Sequence, residues 1–445
     1  MQGWQAAAAD GSVNALARQT GQKKKRRFTF DGLCTQPAQM PSSSPVPSTI
    51  RPEQALLATG ALLAGLAAAA APGQAAPAYN RQVLVNNLLN PRGLTVDSFG
   101  RVLVSEGGAG GTTCDVAGAP PSPPEALRCW GTTGAVGRYD PTTSSYTRLW
   151  TGLDSIARGP SALSPVAGLQ DLTFSSDGRL LGVFGFRGDP ATRPAGSLFA
   201  NLVRFDYSNP GSAVVSLADL GAYESANPSH TRPFSNPYAL TWFGGTSFIT
   251  DAGANRLLKV ADATPSTVEL LENFPAVAST TPPAEAVPTG LTVSPGGTLY
   301  NTQLPGYPFQ QGSASIFSSN GSAGSATAIT TGGFTNAMDL SLGADGWLYL
   351  VQLAENFANP VGTGSLWRYN PLTSERQQLA SGIDQPTGVL AMSDGSVYVA
   401  AGGSTTSGSL LYYTPAVPGP LPLAGATMAW NMARKLRQRL RRSRG

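Results

Sequence analysis

The stretch NAMDLSLGADGWLYL, residues 336–350, decides the fold, because five related stretches occur elsewhere in the chain. Each copy contains a short apolar segment, a tight turn with glycine, and a second apolar segment. Glycine supplies the positive φ that a tight hairpin turn requires, so each copy is predicted to be a β-hairpin. The equivalent positions in the first segments of the six copies are Gly93, Asp171, Ala239, Gly290, Asp339 and Gly388.

The spacing of these positions is 78, 68, 51, 49 and 49 residues. An interval of about 49 residues suits one four-stranded blade, and the longer first two intervals indicate insertions. The sixth copy has no room for a fourth strand after Tyr413, whereas the strand-like residues 82–85 precede the first copy. The sequence therefore predicts an all-β, six-bladed β-propeller that an N-terminal strand closes, which removes open sheet edges.

The propeller is predicted to occupy residues 79–416, between an N-terminal extension (1–78) and a C-terminal sorting segment (417–445). Of the 30 basic residues, seven lie in 1–78 and seven in 421–445, whereas only three of the 26 acidic residues lie there. The remaining segment thus holds 16 basic and 23 acidic residues. A mildly acidic body gives no electrostatic reason to bind nucleic acid.

Residues 55–71 form an apolar run of Ala, Leu, Gly and one Thr, followed by small residues up to Ala78. This pattern predicts a signal peptide that is cleaved after Ala78, with translation beginning at or near Met40. The alternative is an N-terminal membrane anchor, although 17 residues are short for a span of about 20.

The C-terminus combines the Pro-rich VPGPLPL motif, a short apolar segment and a basic end. It resembles the PEP-CTERM class of bacterial sorting signals, which implies processing by an exosortase-type peptidase. That resemblance implies transient membrane contact and delivery to the cell envelope, the extracellular matrix or the medium. A basic amphipathic helix that lies on a membrane is the alternative.

Cys114 and Cys129 lie close together in a Gly/Pro-rich insertion. In an exported protein this spacing favours a disulfide, and two free thiols in a reducing compartment are the alternative.

The body also resembles the ScyD/ScyE family, extracellular cyanobacterial propellers encoded with scytonemin-pigment genes. The resemblance covers residues 80–414 and rests on phrases such as NPRGL, DLGAYESANP, TDAGANRLLKV and FTNAMDLSLGADGWLYL. More loosely, the hairpins are similar to NHL-repeat and gluconolactonase-like propellers. This resemblance implies the fold and an extracellular location, and it assigns no reaction.

First strands begin, and second strands end, at the same mouth of a propeller channel. The second-strand ends are predicted at Glu106, Phe184, Asp251, Gln303, Gln352 and Ala401. Together with Asp171 and Asp339, four carboxylates and two amides are expected to meet there. Clustered carboxylates predict Ca²⁺ or another divalent cation. The alternative is that they accept hydrogen bonds from backbone groups and water.

Tyr238, Gln303 and Gln352 are candidate ligand-binding residues at that mouth. Further aromatic residues rim the mouth or pack between blades, and the two interpretations stay open. The residues concerned are Tyr223, Trp242, Tyr307 and Phe309. His230 is the sole histidine and lies in a loop-like sequence, which argues against a catalytic triad.

Two functions of different class follow. The first is a non-catalytic binding or scaffold protein for a small molecule, glycan or protein partner. The second is a metal-assisted hydrolase or lactonase in which one of the four carboxylates serves as base. A role in pigment metabolism rests on the family resemblance alone.

Overall fold

The computed structural model describes residues 78–115, 128–158, 166–263, 266–356 and 362–416. The signal-peptide and sorting-signal predictions fall outside these ranges. Within them, no helix is long and apolar enough to cross a membrane.

The described residues form six antiparallel sheets, which are the blades of a β-propeller. The first strand, β1 (Tyr79–Leu88), is followed by blade 1 with β2 (Pro91–Val96), β3 (Val102–Glu106), β4 (Thr113–Asp115), β5 (Arg128–Asp140), β6 (Ser145–Arg158) and β7 (Val166–Ala167). Blade 2 contains β8 (Leu169–Phe174), β9 (Leu180–Phe184), β10 (Asn201–Phe205) and β11 (Val215–Asp219). Blade 3 contains β12 (Pro237–Phe243), β13 (Thr246–Asp251), β14 (Arg256–Ala261) and β15 (Val268–Asn273).

The second half of the chain forms blades 4 to 6. Blade 4 contains β16 (Pro288–Val293), β17 (Leu299–Gln303), β18 (Ile316–Ser319) and β19 (Thr327–Ala328). Blade 5 contains β20 (Ala337–Leu342), β21 (Leu348–Gln352), β22 (Gly364–Tyr369) and β23 (Arg376–Ile383). Blade 6 contains β24 (Gly388–Ala391), β25 (Val397–Ala401) and β26 (Gly408–Pro415).

Each predicted hairpin is present as the first two strands of a blade. In blade 2 the turn between β8 and β9 places Gly178 at φ +81°, and its N–H donates to the carbonyl oxygen of Ser175 at 3.0 Å. A residue with a Cβ rarely adopts this φ, which explains the glycine in the repeated phrase.

The N-terminal strand closes the ring, as the sequence predicted. β1 pairs antiparallel with β26, so that Gln82 lies opposite Tyr412 and Val83 opposite Leu411. The sixth blade therefore takes its outer strand from the beginning of the propeller and its three inner strands from the end.

The loops divide between two faces of the propeller. Because neighbouring strands in a blade are antiparallel, first strands begin where second strands end, at what we call the mouth face; the opposite side is the hairpin face. The mouth face carries α1 (Leu220–Ala226), a 3₁₀ helix (Pro190–Thr192) and the insertion between β3 and β5. The longer connections are thus collected on one side of the ring.

Apolar residues fill the spaces between neighbouring blades. Leu103 and Val136 of blade 1, for example, share a buried cluster with Leu172 and Phe184 of blade 2. The six first strands pack one against the next, and β24 packs against β2 to complete the ring.

A buried or partly exposed polar side chain also joins every blade to the next through a hydrogen bond to the backbone. Four junctions use a hydroxyl that donates to a carbonyl oxygen, and two use a carboxylate that accepts an N–H. The hydrogen bonds in ring order are Ser105 to Gln170 (3.0 Å), Leu240 to Asp171 (2.8 Å), Thr250 to Thr289 (2.6 Å), Thr289 to Ala337 (2.8 Å), Val389 to Asp339 (2.8 Å) and Thr387 to Pro91 (2.6 Å).

Candidate functional site

Asp171 and Asp339 occupy the same level of the first strands in blades 2 and 5. These blades are three apart in a ring of six, so the two carboxylates lie on opposite sides of the axis. Blades 1 and 4 carry glycine at this level. A Cβ on Gly93 would lie 1.9 Å from Oδ1 of Asp171, and a Cβ on Gly290 would lie 2.4 Å from Cα of Asp339. Each glycine therefore makes room for the aspartate of the next blade.

Both aspartates accept two backbone hydrogen bonds. Oδ1 of Asp171 accepts from its neighbour Leu172, and Oδ2 accepts from Leu240 of the next blade, each at 2.8 Å. Asp339 repeats this arrangement with Leu340 and Val389. In the described chain these two carboxylates thus help to hold the ring together.

Burial and mutual repulsion make both carboxyl groups weak acids. Burial raises the pKa of Asp171 well above its usual range, and the charge of Asp339 raises it further. Burial also raises the pKa of Asp339 to about 7, although the N–H groups of Val389 and Leu340 oppose this shift. Two like charges in one poorly solvated channel favour retention of a proton by the pair near neutral pH.

A group of hydroxyl side chains follows the aspartates toward the hairpin face. Side chains two residues apart in a strand lie on the same side, so this group faces the channel with Asp171 and Asp339. The hydroxyl residues are Thr95, Thr173, Thr241, Thr292 and Ser341. All but Thr241 are partly exposed, as are both aspartates. We call the seven residues the axial well; each of them carries a hydroxyl or a carboxyl group.

The mouth side of the channel is closely packed. In each first strand, one residue directly precedes the position that the aspartates occupy in blades 2 and 5. At most 6% of the surface is exposed in five of these residues, which are Arg92, Gln170, Thr289, Met338 and Thr387. Tyr238 of blade 3 packs against an apolar cluster that contains Leu304 of blade 4 and Met338 of blade 5. Apart from Tyr238, the partly exposed polar side chains of the first strands begin at the position of the aspartates.

Glu106 does not join the aspartates. It ends β3, as predicted, but it is fully buried and pairs with Nε of Arg148 at 2.7 Å. It also accepts hydrogen bonds from the Tyr146 hydroxyl (2.8 Å) and the Leu89 N–H (2.7 Å). Its charge is compensated inside blade 1, where it fixes the segment that leads into β2.

Asp251 is likewise separate. It ends β13 and accepts hydrogen bonds from the Ser235 hydroxyl at 2.6 Å and from the N–H groups of Asn236 and Gly253 at 2.7 and 3.0 Å. Burial raises its pKa, and the nearby charge of Glu224 adds to this. It braces the loop that enters β12.

The two glutamines also end their strands in buried positions. Gln352 accepts a hydrogen bond from the Thr335 N–H and donates to the Ser365 hydroxyl at 2.8 Å. Gln303 is 3% exposed at the end of β17. The expected meeting of four carboxylates and two amides at one opening does not occur, because second strands lie one strand farther from the axis than first strands.

No three His, Cys, Asp or Glu residues of the described chain form a group that could hold a metal. A cation in the channel would have the two opposed aspartates and neighbouring hydroxyl or backbone oxygens as protein ligands, a set suited to a hard cation such as Ca²⁺. Glu106 and Asp251 are apart from this pair, so the predicted channel cation stays a prediction for Asp171 and Asp339 alone.

The remaining candidates lie outside the well. His230 contacts the Gly253 carbonyl oxygen through Nε2 at 3.0 Å. Tyr223 packs between blades, and Trp242 donates to Asp262 near the hairpin face. Tyr307 is half exposed and makes an edge contact with Phe309 on the mouth face.

The predicted disulfide between Cys114 and Cys129 is confirmed. It joins directly opposed residues of β4 and β5 and borders an open cleft of about 310 Å³ on the mouth face. The cleft is also lined by Thr113, Trp130, Thr192, Arg193 and Pro194.

Sequence reasoning missed Arg92 and the hydroxyl residues. Arg92 is the only charged residue at its level in the six copies, and a hydroxyl residue recurs two positions after the aspartate level in five of them. Both signals were present in the repeated phrase, but they require a comparison of columns rather than a search for known motifs.

No protein-family model matches the chain, and no curated protein matches it. Solved structures with a similar fold include a protein described as a putative gluconolactonase (10% identity, 75% of this chain and 91% of that chain, TM-score 0.45). Others are a soluble aldose sugar dehydrogenase from Escherichia coli (11%, 76% and 100%, 0.44) and a gluconolactonase from Xanthomonas campestris (12%, 77% and 97%, 0.41). Similarity this low assigns no chemistry to the present chain.

Proposed function

We propose that the chain is an exported β-propeller of the cell envelope or extracellular matrix that binds a small polyhydroxylated ligand in the axial well without transforming it. The observation that carries this proposal is the pairing of two opposed, partly exposed aspartates with a group of channel-facing hydroxyls. Such groups donate to and accept from the hydroxyls of a sugar or polyol. The resemblance to the ScyD/ScyE family agrees with an extracellular scaffold role.

The structural contacts of His230 and of the four predicted acids favour binding over catalysis. His230, in the described part of the chain, is engaged with a backbone carbonyl oxygen, and no serine or acid contacts it there. The four predicted acids are all engaged with backbone N–H groups or arginine.

The binding test uses the full chain and its D171N/D339N variant, with D140N as a matched control on the hairpin face. Melting temperatures are measured against a panel of neutral sugars, sugar acids and lactones. We expect at least one sugar to stabilise the wild type and D140N in a saturable manner and to have no effect on D171N/D339N. If no member of the panel distinguishes wild type from the double variant, the binding proposal is wrong.

The second candidate function is a metal-assisted hydrolase or lactonase. The pKa of about 7 at Asp339 favours it, because a base is most effective when its pKa lies near the working pH. A bound divalent cation would polarise a carbonyl or activate water. Lactone hydrolysis that disappears with a chelator and in D339N would support this function; a metal-free protein without turnover would exclude it.

Export is proposed from residues 55–78 and 417–445. Chains that lack either segment can be expressed in a bacterium with an exosortase-type system and located by fractionation. We expect loss of the first segment to leave the protein in the cytoplasm and loss of the second to prevent processing. Unchanged location of both variants would contradict the proposal.

A further inference from the structure

Arg92 carries a buried positive charge with no negative partner. The side chain lies at the mouth side of the channel and is 6% exposed. Nη2 donates to the Val166 carbonyl oxygen at 3.0 Å, while Nε has no hydrogen-bond partner. No carboxylate of the described residues lies within ion-pair distance of the guanidinium. Burying an uncompensated charge is costly, so such a group is normally paired.

Other arginines of the same propeller follow that rule. Arg256 is equally buried, and its guanidinium meets Glu224 at 2.6 Å. Even Arg148, whose side chain is 37% exposed, meets the buried Glu106 at 2.7 Å. The chain therefore supplies a carboxylate where it buries an arginine for structure alone, and Arg92 departs from this arrangement.

A second unpartnered polar group lies near Arg92. The hydroxyl of Tyr238 is buried without a hydrogen-bond partner. Burial lowers the pKa of the Arg92 guanidinium, and the Tyr238 phenol opposes this shift. Burial and the charges of Asp171 and Asp339 raise the pKa of the Tyr238 phenol, whereas the pKa of Arg92 responds to burial and to Tyr238. Tyr238 and Arg92 occupy equivalent positions in the first strands of blades 3 and 1, one residue before the position that Asp171 and Asp339 occupy in blades 2 and 5.

Two glycines pack directly against the Arg92 side chain on the mouth face, where 6% of the residue stays exposed. Gly403 and Gly107 flank the side chain: an ideal Cβ on Gly403 would lie 2.9 Å from Nη1, and one on Gly107 would lie 3.8 Å from Cγ. A side chain at Gly403 would cover Nη1. An anion that entered from the hairpin face would instead pass the two aspartates, which repel it.

We propose that Arg92 and Tyr238 form a binding site for a small carboxylate anion that enters from the mouth face, independent of the sugar site proposed in the axial well. The planar guanidinium presents donors in the fork geometry that a carboxylate matches, and the free Nε is one of these donors. The Tyr238 hydroxyl supplies a further donor. The bound anion compensates the charge that the protein itself leaves unpaired.

The test measures the melting temperature of the full chain in low-salt buffer against sodium acetate, with sodium chloride at equal ionic strength as the reference. The variants are R92M, which removes the charge at similar length, Y238F, which removes one donor, and R256M as a control that breaks a paired arginine. We expect acetate to raise the melting temperature of the wild type and R256M in a saturable manner. We expect no saturable response in R92M and at least a tenfold weaker apparent affinity in Y238F.

R92M in low salt should melt no lower than the wild type, whereas R256M should melt lower, because only R256M leaves a partner charge unpaired. An acetate response of R92M equal to that of the wild type would overturn the site, and an equal response to acetate and chloride would overturn the carboxylate assignment. Should R92M not fold, Y238F decides: an unchanged acetate affinity refutes the site. Sugar binding tested with D171N/D339N is a separate measurement, so either proposal can fail alone.

Discussion

The hydroxyl of Thr387 donates a hydrogen bond of 2.6 Å to the carbonyl oxygen of Pro91, which joins the sixth blade to the first across 296 residues of chain. Both residues are buried next to the axis. At the outer edge of the same blade, β1 pairs with β26. The ring is therefore closed twice, once beside the channel and once at its circumference.

The inner closure can be tested by T387V, which replaces the hydroxyl with a methyl group of similar size. The carbonyl oxygen of Pro91 would lose its side-chain partner while buried, so we expect a loss of about 1–3 kcal/mol in the free energy of unfolding. Urea denaturation measures this loss. T142V, at an exposed turn, is the control and should change stability by less than about 0.5 kcal/mol. Equal effects of the two variants would show that the Thr387 hydrogen bond contributes little.

The outer closure predicts that removal of residues 79–88 destabilises the whole propeller. Without β1, the edge of β26 has unpaired backbone groups and buried Leu88 loses its place in the core. We expect a single cooperative transition at a lower melting temperature and concentration-dependent association in size-exclusion chromatography. V83T, a change at a half-exposed position of the same strand, should melt close to the wild type. A truncated chain that melts normally and stays monomeric would refute the closure.

The repeated hairpins predict the blades because glycine turns and alternating apolar residues are local signals. The levels of Asp171 and Asp339 also follow from the alignment of copies. The alignment correctly predicts that Glu106 and Asp251 end their strands, but both lie farther from the axis than expected. An alignment gives the position of a residue along a strand and does not show which partner its side chain contacts. Tyr238 packs against a cluster that includes residues about 100 positions away, among them Met338, and no local pattern encodes this packing.

The raised pKa of Asp339 predicts a specific pH dependence. An unfolded aspartate has a pKa near 3.9, whereas the folded value is about 7. Between these values the native state holds a proton that the unfolded state releases. The stability that this carboxyl contributes is complete below about pH 4 and is lost as the pH rises through about 7.

This dependence is measured as the difference in unfolding free energy between wild type and D339N, from pH 5 to pH 8. Asparagine is neutral at every pH, so we expect the wild type to lose stability relative to D339N as the pH rises. The pKa of Asp140 is lowered, chiefly by its hydrogen bond with Thr142. The comparison of wild type with D140N should therefore be flat over the same range. A flat profile for D339N as well would mean that Asp339 ionises normally in the folded protein.

The disulfide between Cys114 and Cys129 closes a loop with a sequence separation of 15 residues. In the chain-entropy model, a loop of this size stabilises the folded state by roughly 3 kcal/mol. We therefore expect C114S/C129S to lose up to that amount. Cys129 is fully buried beside the cluster of Ile156, Phe186 and Phe199, so hydrogen exchange should increase first in β4 and β5.

The variant C34S keeps this pair and should behave as the wild type. A reducing agent should lower the melting temperature of the wild type and C34S equally and leave C114S/C129S unchanged; a response of the double variant to reductant would show that the stabilisation does not come from this bond.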